Sequence, residues 1–358
     1  MTAPLRPMNL GEILDRTLQI YRSRFLAFFT IAALPALALM AIGLADYRFF
    51  PKSQNPTADQ QGQELLWSFF RSLVHGHIAA ILGLLIFPIF VKIASDAVLE
   101  QASSIRIALQ FAVSKARSFL WIAFLKVIAQ FLIPEILTCV AIFIVALIEY
   151  ATGAFNDKSA VLLAALALFS PILGGIALFL WLSSCISLAV PVVALEPITG
   201  LKALKRSWTL SRDARFRILV AWMSLSILGI GLAAGFHLLM HFLTDLFFYG
   251  GKITDLIDQP LYRFADYLLG ATLTALTGPL YPIAITLFYY DQRIRREGYD
   301  IEWMMQRAGL VVPAPPLPES LPPADPQPPL QLPPTPSEGS LGANFPIPSL
   351  PRQLTPPP

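Results

Sequence analysis

Apolar residues come in long blocks along this chain, and six blocks are long enough to cross a bilayer as helices. A hydrocarbon core about 30 Å thick needs roughly 20 apolar residues at about 1.5 Å each. The stretches 25–45, 78–97, 119–148, 160–190, 218–247 and 266–290 meet that length. The third, fourth and fifth exceed it, so tilt, kinking or protrusion is expected of them. Pro134, Pro171 and Pro279 fall inside spans and predict kinks, because proline removes a backbone donor. Lipid offers the backbone no hydrogen-bond partner, so every span is expected to be helical. The pattern predicts an all-α polytopic membrane protein with six transmembrane helices.

Shorter amphipathic stretches precede each odd-numbered span. Leu10, Ile13, Leu14, Leu18 and Tyr21 line one face of the first, and Asn9 with Glu12 has the spacing of a capping box. In the second, Ile105, Leu109, Ala112 and Val113 oppose Arg106, Gln110 and Arg117. In the third, Leu201, Leu204 and Trp208 oppose Lys202, Lys205, Arg206 and Arg212. All three show helical spacing. The simplest architecture is three repeats, each an interfacial helix followed by two spans, entering from the same side. In the loop before the second span, Leu65, Leu66, Trp67, Phe69, Phe70 and Leu73 suggest a helix lying on the outer leaflet.

Charge then orients the spans. Segments 1–24, 98–118, 191–217 and 291–358 hold 18 lysines and arginines, whereas 46–77, 149–159 and 248–265 hold 6. The positive-inside rule places both termini in the cytoplasm. Basic residues beside such a surface gain about 1 kcal/mol each from anionic headgroups. Arg16, Arg22, Arg106, Arg117, Lys202, Lys205, Arg206, Arg293, Arg295 and Arg296 are the candidates for lipid headgroups or the inner interface. The bland alternative is that they are ordinary surface connectors obeying the same rule.

Composition agrees with the pattern. The chain is 55% hydrophobic and only 14% charged, against about 25% charged in soluble domains. The formal net charge is +3 and points to no nucleic acid partner. Cys139 and Cys185 both lie in apolar stretches, so no disulfide framework is expected. Polar residues before the first apolar run make a cleaved signal peptide unexpected. Residues 311–358 hold 18 of the 31 prolines, a composition that favours extended, unpacked chain. The expected division is a six-span membrane domain over residues 1–306 and a proline-rich cytoplasmic tail over 307–358.

Few residues suggest chemistry. His237, His241 and Asp245 share one helical face and are candidate metal ligands, although polar residues at the outer edge of a span need no metal. Lys126, Gln130 and Glu135 are the polar residues of the third span. Charges inside a membrane raise a functional hypothesis such as a relay. Nine positions apart, Lys126 and Glu135 face opposite ways on a straight helix. Walker, GxGxxG, HExxH and GxSxG signatures are missing from the sequence, and no cofactor is expected.

Three motifs in order carry a resemblance. They are Leu10-Gly11-Glu12-Ile13-Leu14-Asp15 with Tyr21-Arg22 and Phe25, then Ala203 through Leu210 with Pro191 and Glu196, then Tyr289-Tyr290-Asp291-Gln292-Arg293-Ile294-Arg295-Arg296-Glu297-Gly298-Tyr299-Asp300. Together, over residues 7–306, they resemble the bacterial glycerophosphoryl diester phosphodiesterase membrane domain family. The resemblance implies a bacterial inner-membrane location and this topology. It does not imply hydrolysis, because the soluble barrel that performs it in fused proteins has no counterpart here. The expected role is non-enzymatic: an integral membrane protein organising lipids or partner proteins. A transporter or permease subunit is the alternative, and a lipid-modifying membrane enzyme a weaker one.

Overall fold

Asn9 starts the first helix. Its side chain accepts from the Glu12 N–H, and the Glu12 carboxylate accepts from the Asn9 N–H, closing a capping box. In the computed structural model, which describes residues 6–49, 58–102, 104–152, 161–247 and 260–310, this opens a pattern that occurs three times. A short helix α1 (Leu10–Ser23) breaks at Arg24, α2 (Phe25–Phe49) departs as a span, and α3 (Ala58–Val98) returns. In the second unit α4 (Ile105–Ser114) is capped by Ser104 and breaks at Lys115. The departing span is α5 (Ala116–Val127), a π turn over Ile128–Leu132, and α6 (Ile133–Thr152). Its return is α7 (Val161–Cys185) followed by α8 (Ala189–Leu195). The third unit runs α9 (Gly200–Leu210), α10 (Arg215–Phe247), then α11 (Pro260–Thr277) and α12 (Leu280–Glu297). Gly298, at φ 64°, takes the left-handed conformation that glycine tolerates and leads into α13 (Tyr299–Arg307).

Among the described residues, six helical stretches are long and apolar enough to cross a membrane: Phe25–Phe49, Trp67–Val98, Ala116–Thr152, Phe169–Leu195, Arg215–Met240 and Tyr262–Glu297. The chain is an all-α, multi-pass membrane protein, as the apolar pattern indicates. The end of the bundle bearing α1, α4 and α9 is called proximal below, and the other end distal.

The three units keep register. Ile13, Ala108 and Ala203 are spaced 95 residues apart, and each is 0% exposed. Phe28, Ala123 and Ile218 repeat the same spacing and are all buried, as are Ile31, Lys126 and Ala221. Packing between units is cyclic. Each short helix lies on the returning span of the preceding unit: α4 on α3, α9 on α8, and α1 on α12, which closes the ring. The departing spans follow the same rule, with α5 along α3, α10 along α7 and α2 along α11.

Returning spans form the centre of this ring. Their most apolar stretches are 44%, 56% and 50% buried, against 22%, 6% and 11% for the departing spans. Phe90, Ile93, Val190, Val193, Ile283 and Leu287 fill the proximal core where α3, α8 and α12 meet.

Two of the three returning spans are broken, and the freed carbonyls find donors on the next unit. The α7–α8 break leaves the Cys185 carbonyl to accept from Ser207 and Ser211 hydroxyls at 3.1 and 3.0 Å. Gly278-Pro279 separates α11 from α12, and the Leu276 carbonyl accepts from the Tyr21 hydroxyl at 2.8 Å. Tyr21 and Ser211 are equivalent positions in the repeat register. Their second-unit counterpart is Ala116, which faces an unbroken α3. An unpaired carbonyl in apolar surroundings is costly, so hydroxyls occur where a break requires them.

Several expectations change. The stretch 65–73, expected to lie on the outer leaflet, is helical but belongs to the first half of α3, a single helix of 41 residues that continues into the second span. At about 60 Å it outruns the bilayer, because no proline interrupts it before Pro88 and Gly62, Gly76 and Gly83 do not end it. Pro171 lies within α7 without ending it, whereas Pro279 marks a full break. The short helices also present different faces from those the apolar pattern suggests. α9 buries Ala203, Ser207 and Leu210 and leaves Leu201 and Trp208 68% and 37% exposed. α4 buries Ala108 and exposes Ile105, Leu109 and Val113. Lipid is as apolar as a protein core, so closeness of approach rather than hydrophobicity selects the inward face. The proline-rich segment 311–358 lies outside the described residues.

Ile13→Ala leaves a void at a fully buried repeat position and is expected to cost about 2–5 kcal/mol in thermal unfolding of the detergent-solubilised protein. Leu201→Ala, on the exposed face of α9, is expected to leave the midpoint unchanged. The Glu12 carboxyl is held below its usual range, chiefly by the Asn9 backbone N–H and then by Arg6. Its contribution to the cap is full above the ordinary glutamate range and is lost as pH falls through its depressed folded value. Acid titration of the Glu12→Gln variant is expected to lack that component.

Candidate functional site

The most charged part of the molecule is the proximal end, where α12 leaves the core. Asp291 is 0% exposed. Its carboxylate accepts from Arg217 of α10 at 3.1 Å, from Arg295 one turn on at 2.9 Å, and from the Met8 N–H at 2.8 Å. Both arginines also donate to the Met8 carbonyl, at 2.7 and 2.8 Å. One buried carboxylate thus fastens the segment before α1, the start of α10 and the end of α12. Burying it is tolerable only because each oxygen meets a cation or an N–H.

Glu196, just after α8, organises a second cluster. It accepts from Arg206 at 3.1 Å and from the Tyr289 hydroxyl at 3.0 Å. Arg206 also pairs with Glu297. Burial opposes the Arg206 charge, but the two glutamates prevail and raise its guanidinium above the usual range. Arg293 binds Glu297 at 3.0 Å and stacks over Tyr299, 4.2 Å from the ring centre. Arg296 donates to the Thr209 carbonyl and to Asp213. Four of the ten basic candidates, Arg206, Arg293, Arg295 and Arg296, are therefore joined to acids of the protein itself.

The other candidates are placed differently. Arg22, Arg106, Arg117, Lys202 and Lys205 are exposed. Half-buried Arg16 meets Gln19 at 3.3 Å and, with Arg6, Glu12 and Asp15, borders a cavity of about 220 Å³ floored by Leu287 and Ile294. A neighbouring cavity of about 200 Å³ is bordered by Lys92, Asp96, Tyr289, Tyr290, Arg293 and Tyr299. Within it Lys92 binds Asp96 at 2.6 Å, and Ser95 meets the Tyr290 hydroxyl at 2.7 Å. Lys115, at the α4–α5 break, donates to the Ala194 carbonyl at 3.1 Å, and burial pushes its ammonium down.

The polar residues of the third span do not contact one another. The Lys126 ammonium meets the Ile186 carbonyl at the α7–α8 break, at 3.4 Å, where that carbonyl also accepts from the Ala189 N–H, and lies over the Phe87 ring. Gln130 donates to the Ser183 hydroxyl at 2.9 Å. Glu135 reaches His77 of α3 at 3.3 Å. The π turn between Lys126 and Glu135, closed by the Ile133 N–H on the Ile128 carbonyl, takes in one extra residue. It changes their angular relation by about 100° from that of a straight helix. Pro134, which has no N–H to give to Gln130, explains why the ladder slips there.

His237 pairs with Asp266 of α11 at 3.4 Å. The side chains of His241 and Asp245 lie outside those described, and no metal-ligating cluster occurs among the described residues. The sequence reading missed Arg217, Asp96 and Lys92 as participants, and it quoted Asp291 and Glu196 without a role. The available signal was the rarity of acids in so apolar a chain: an acid at the end of a span needs a named cation.

Asp291→Asn leaves Arg217 and Arg295 without their counter-charge and is expected to destabilise by about 3–5 kcal/mol, read by thermal unfolding in detergent. Lys205→Ala is expected to stay within about 0.5 kcal/mol of the parent.

No family model, curated protein or solved structure matches the chain.

Proposed function

We propose that the protein is a non-enzymatic scaffold of a bacterial inner membrane, gathering phospholipids or partner proteins around its rim, with the proximal end and both termini in the cytoplasm. The observation that carries this reading is the division between centre and rim. The returning spans pack on one another, while the departing spans offer most of their apolar surface outward. At the proximal rim the exposed cations lie beside exposed apolar side chains. Lys202 and Lys205 flank Leu201 and Trp208, and Arg106 and Arg117 flank Ile105, Leu109 and Val113. A helix with an apolar face for acyl chains and cations for headgroups suits an anionic membrane surface. The charge bias toward proximal segments supports the cytoplasmic assignment. The three-motif resemblance is consistent with this reading and adds no reaction to it. A transporter or permease subunit would draw on the charged Lys126 and Glu135, but the filled centre of α3, α8 and α12 favours a scaffold.

The test reverses charge only at cations outside the internal ion pairs: Lys202→Glu with Lys205→Glu, and separately Arg106→Glu with Arg117→Glu. Native mass spectrometry of the purified protein is expected to show a several-fold loss of retained anionic lipid, or of a co-purifying partner, with an unchanged unfolding midpoint. Unchanged lipid retention and unchanged partner recovery in both variants would rule the scaffold reading out.

A further inference from the structure

The filled core ends, on the proximal side, in a polar cavity of about 200 Å³ to which all three units contribute. Lys92, Ser95 and Asp96 come from α3, Leu195 from the end of α8, and Tyr290 and Arg293 from α12. Ser95, Asp96 and Tyr290 are each only 2% exposed. Polar groups buried at this depth are costly in a chain matched to lipid, and apolar side chains would pack the same space without that cost. Their hydrogen-bond capacity is also incompletely used. Lys92 gives one of its three N–H groups to Asp96 Oδ1 at 2.6 Å. Ser95 and Tyr290 share one hydrogen across 2.7 Å, which leaves the hydrogen of the accepting hydroxyl unspent. Arg293 holds Glu297 through Nε at 3.0 Å. Its terminal nitrogens reach only the Tyr289 hydroxyl at 3.5 Å and Glu302 at 3.7 Å, beyond the roughly 2.7–2.9 Å of a charge-assisted bond.

We propose that this cavity binds a phosphoryl group, carried by a phospholipid headgroup or by free phosphate, through Lys92, Arg293 and the Ser95–Tyr290 hydroxyl pair. The unspent groups are donors, so the guest must bring acceptors. They stand on two returning spans, α3 and α12. A carboxylate offers two oxygens in one plane, whereas a phosphoryl group presents tetrahedral oxygens to donors from separate walls. Charge agrees with an anion. Lys92 and Arg293 border the cavity against one acid, Asp96. Lys115 adds a cation close by, since its ammonium and that of Lys92 lie 5.2 and 5.7 Å from the centre of the Phe111 ring.

Size limits the guest. Pockets for drug-sized ligands run to about 300–1,000 Å³, so this smaller cavity admits a headgroup or a phosphate and leaves acyl chains outside. The site is independent of the rim, because Arg106, Arg117, Lys202 and Lys205 do not border it.

The experiment uses the full chain in a maltoside detergent, which carries no phosphate. Calorimetric titration is made with inorganic phosphate and, separately, with dihexanoyl phosphatidylglycerol. At least one probe is expected to bind saturably, one per chain, and the tighter of the two identifies the source. Lys92→Gln combined with Asp96→Asn removes both charges of the pair and strands neither. It is expected to weaken binding about tenfold, the scale of one lost charged hydrogen bond, at an unchanged unfolding midpoint. Ser95→Ala combined with Tyr290→Phe removes both hydroxyls together and is expected to weaken it several-fold. Lys202→Glu with Lys205→Glu, at the rim, is expected to bind as the parent does. The proposal is overturned by the absence of saturable binding of both probes, by parent-like affinity in whichever cavity variant folds, or by an equal loss in the rim variant.

Discussion

The structure depends on how a single buried carboxylate is neutralised. Asp291 sits in the last part of α12, a largely buried helix, without exposure, in a chain whose natural surroundings are lipid. A charge in that position is tolerable only when it is surrounded by donors. Arg217, Arg295 and the Met8 N–H provide them, and they come from three separate parts of the chain. Neutralising one charge thereby sets where α1, α10 and α12 stand relative to one another. Glu196 does the same for α8, α9 and α12 through Arg206 and Tyr289.

The ring of three units follows a related economy of polar groups. Lipid-exposed helices gain little from burying apolar area, since lipid is itself apolar. What distinguishes one packing from another is close approach and satisfied polar atoms. Small residues at equivalent positions, Ala108 and Ala203, bring α4 and α9 close to the preceding returning span. Hydroxyls at Tyr21 and Ser211 meet the carbonyls that helix breaks release. Lys126 fits this scheme as well. It occupies a repeat position held elsewhere by Ile31 and Ala221, and its ammonium goes to the Ile186 carbonyl at the α7–α8 break.

How far the sequence revealed this depended on the kind of signal. Six spans and three short helices were legible, because length and periodicity of apolar residues are direct consequences of bilayer thickness and helix pitch. The inward faces of α4 and α9 were not, because apolar residues such as Leu201 and Ile105 are equally suited to lipid and to protein. The π turn was also hidden. Pro134 announced some irregularity, but whether a proline kinks, breaks or widens a helix depends on its neighbours, as Pro171 and Pro279 illustrate. The basic residues divided in a way that charge counting could not anticipate. Arg206 and Arg296 found acids far away in sequence, Glu297 and Asp213, whereas Lys202 and Lys205 remained exposed.

The central claim is that three returning spans make the core and three departing spans make the rim. Spin-label accessibility to dissolved oxygen in lipid nanodiscs tests it most directly, after Cys139→Ala and Cys185→Ala remove the native thiols. Single labels at Leu34, Val140 and Leu228 sit on departing spans, where these side chains are exposed, and labels at Val91, Val193 and Ile285 sit at buried positions of returning spans. The account requires high oxygen accessibility at the first three and low accessibility at the last three. Comparable values in the two sets, or the reverse order, would contradict it.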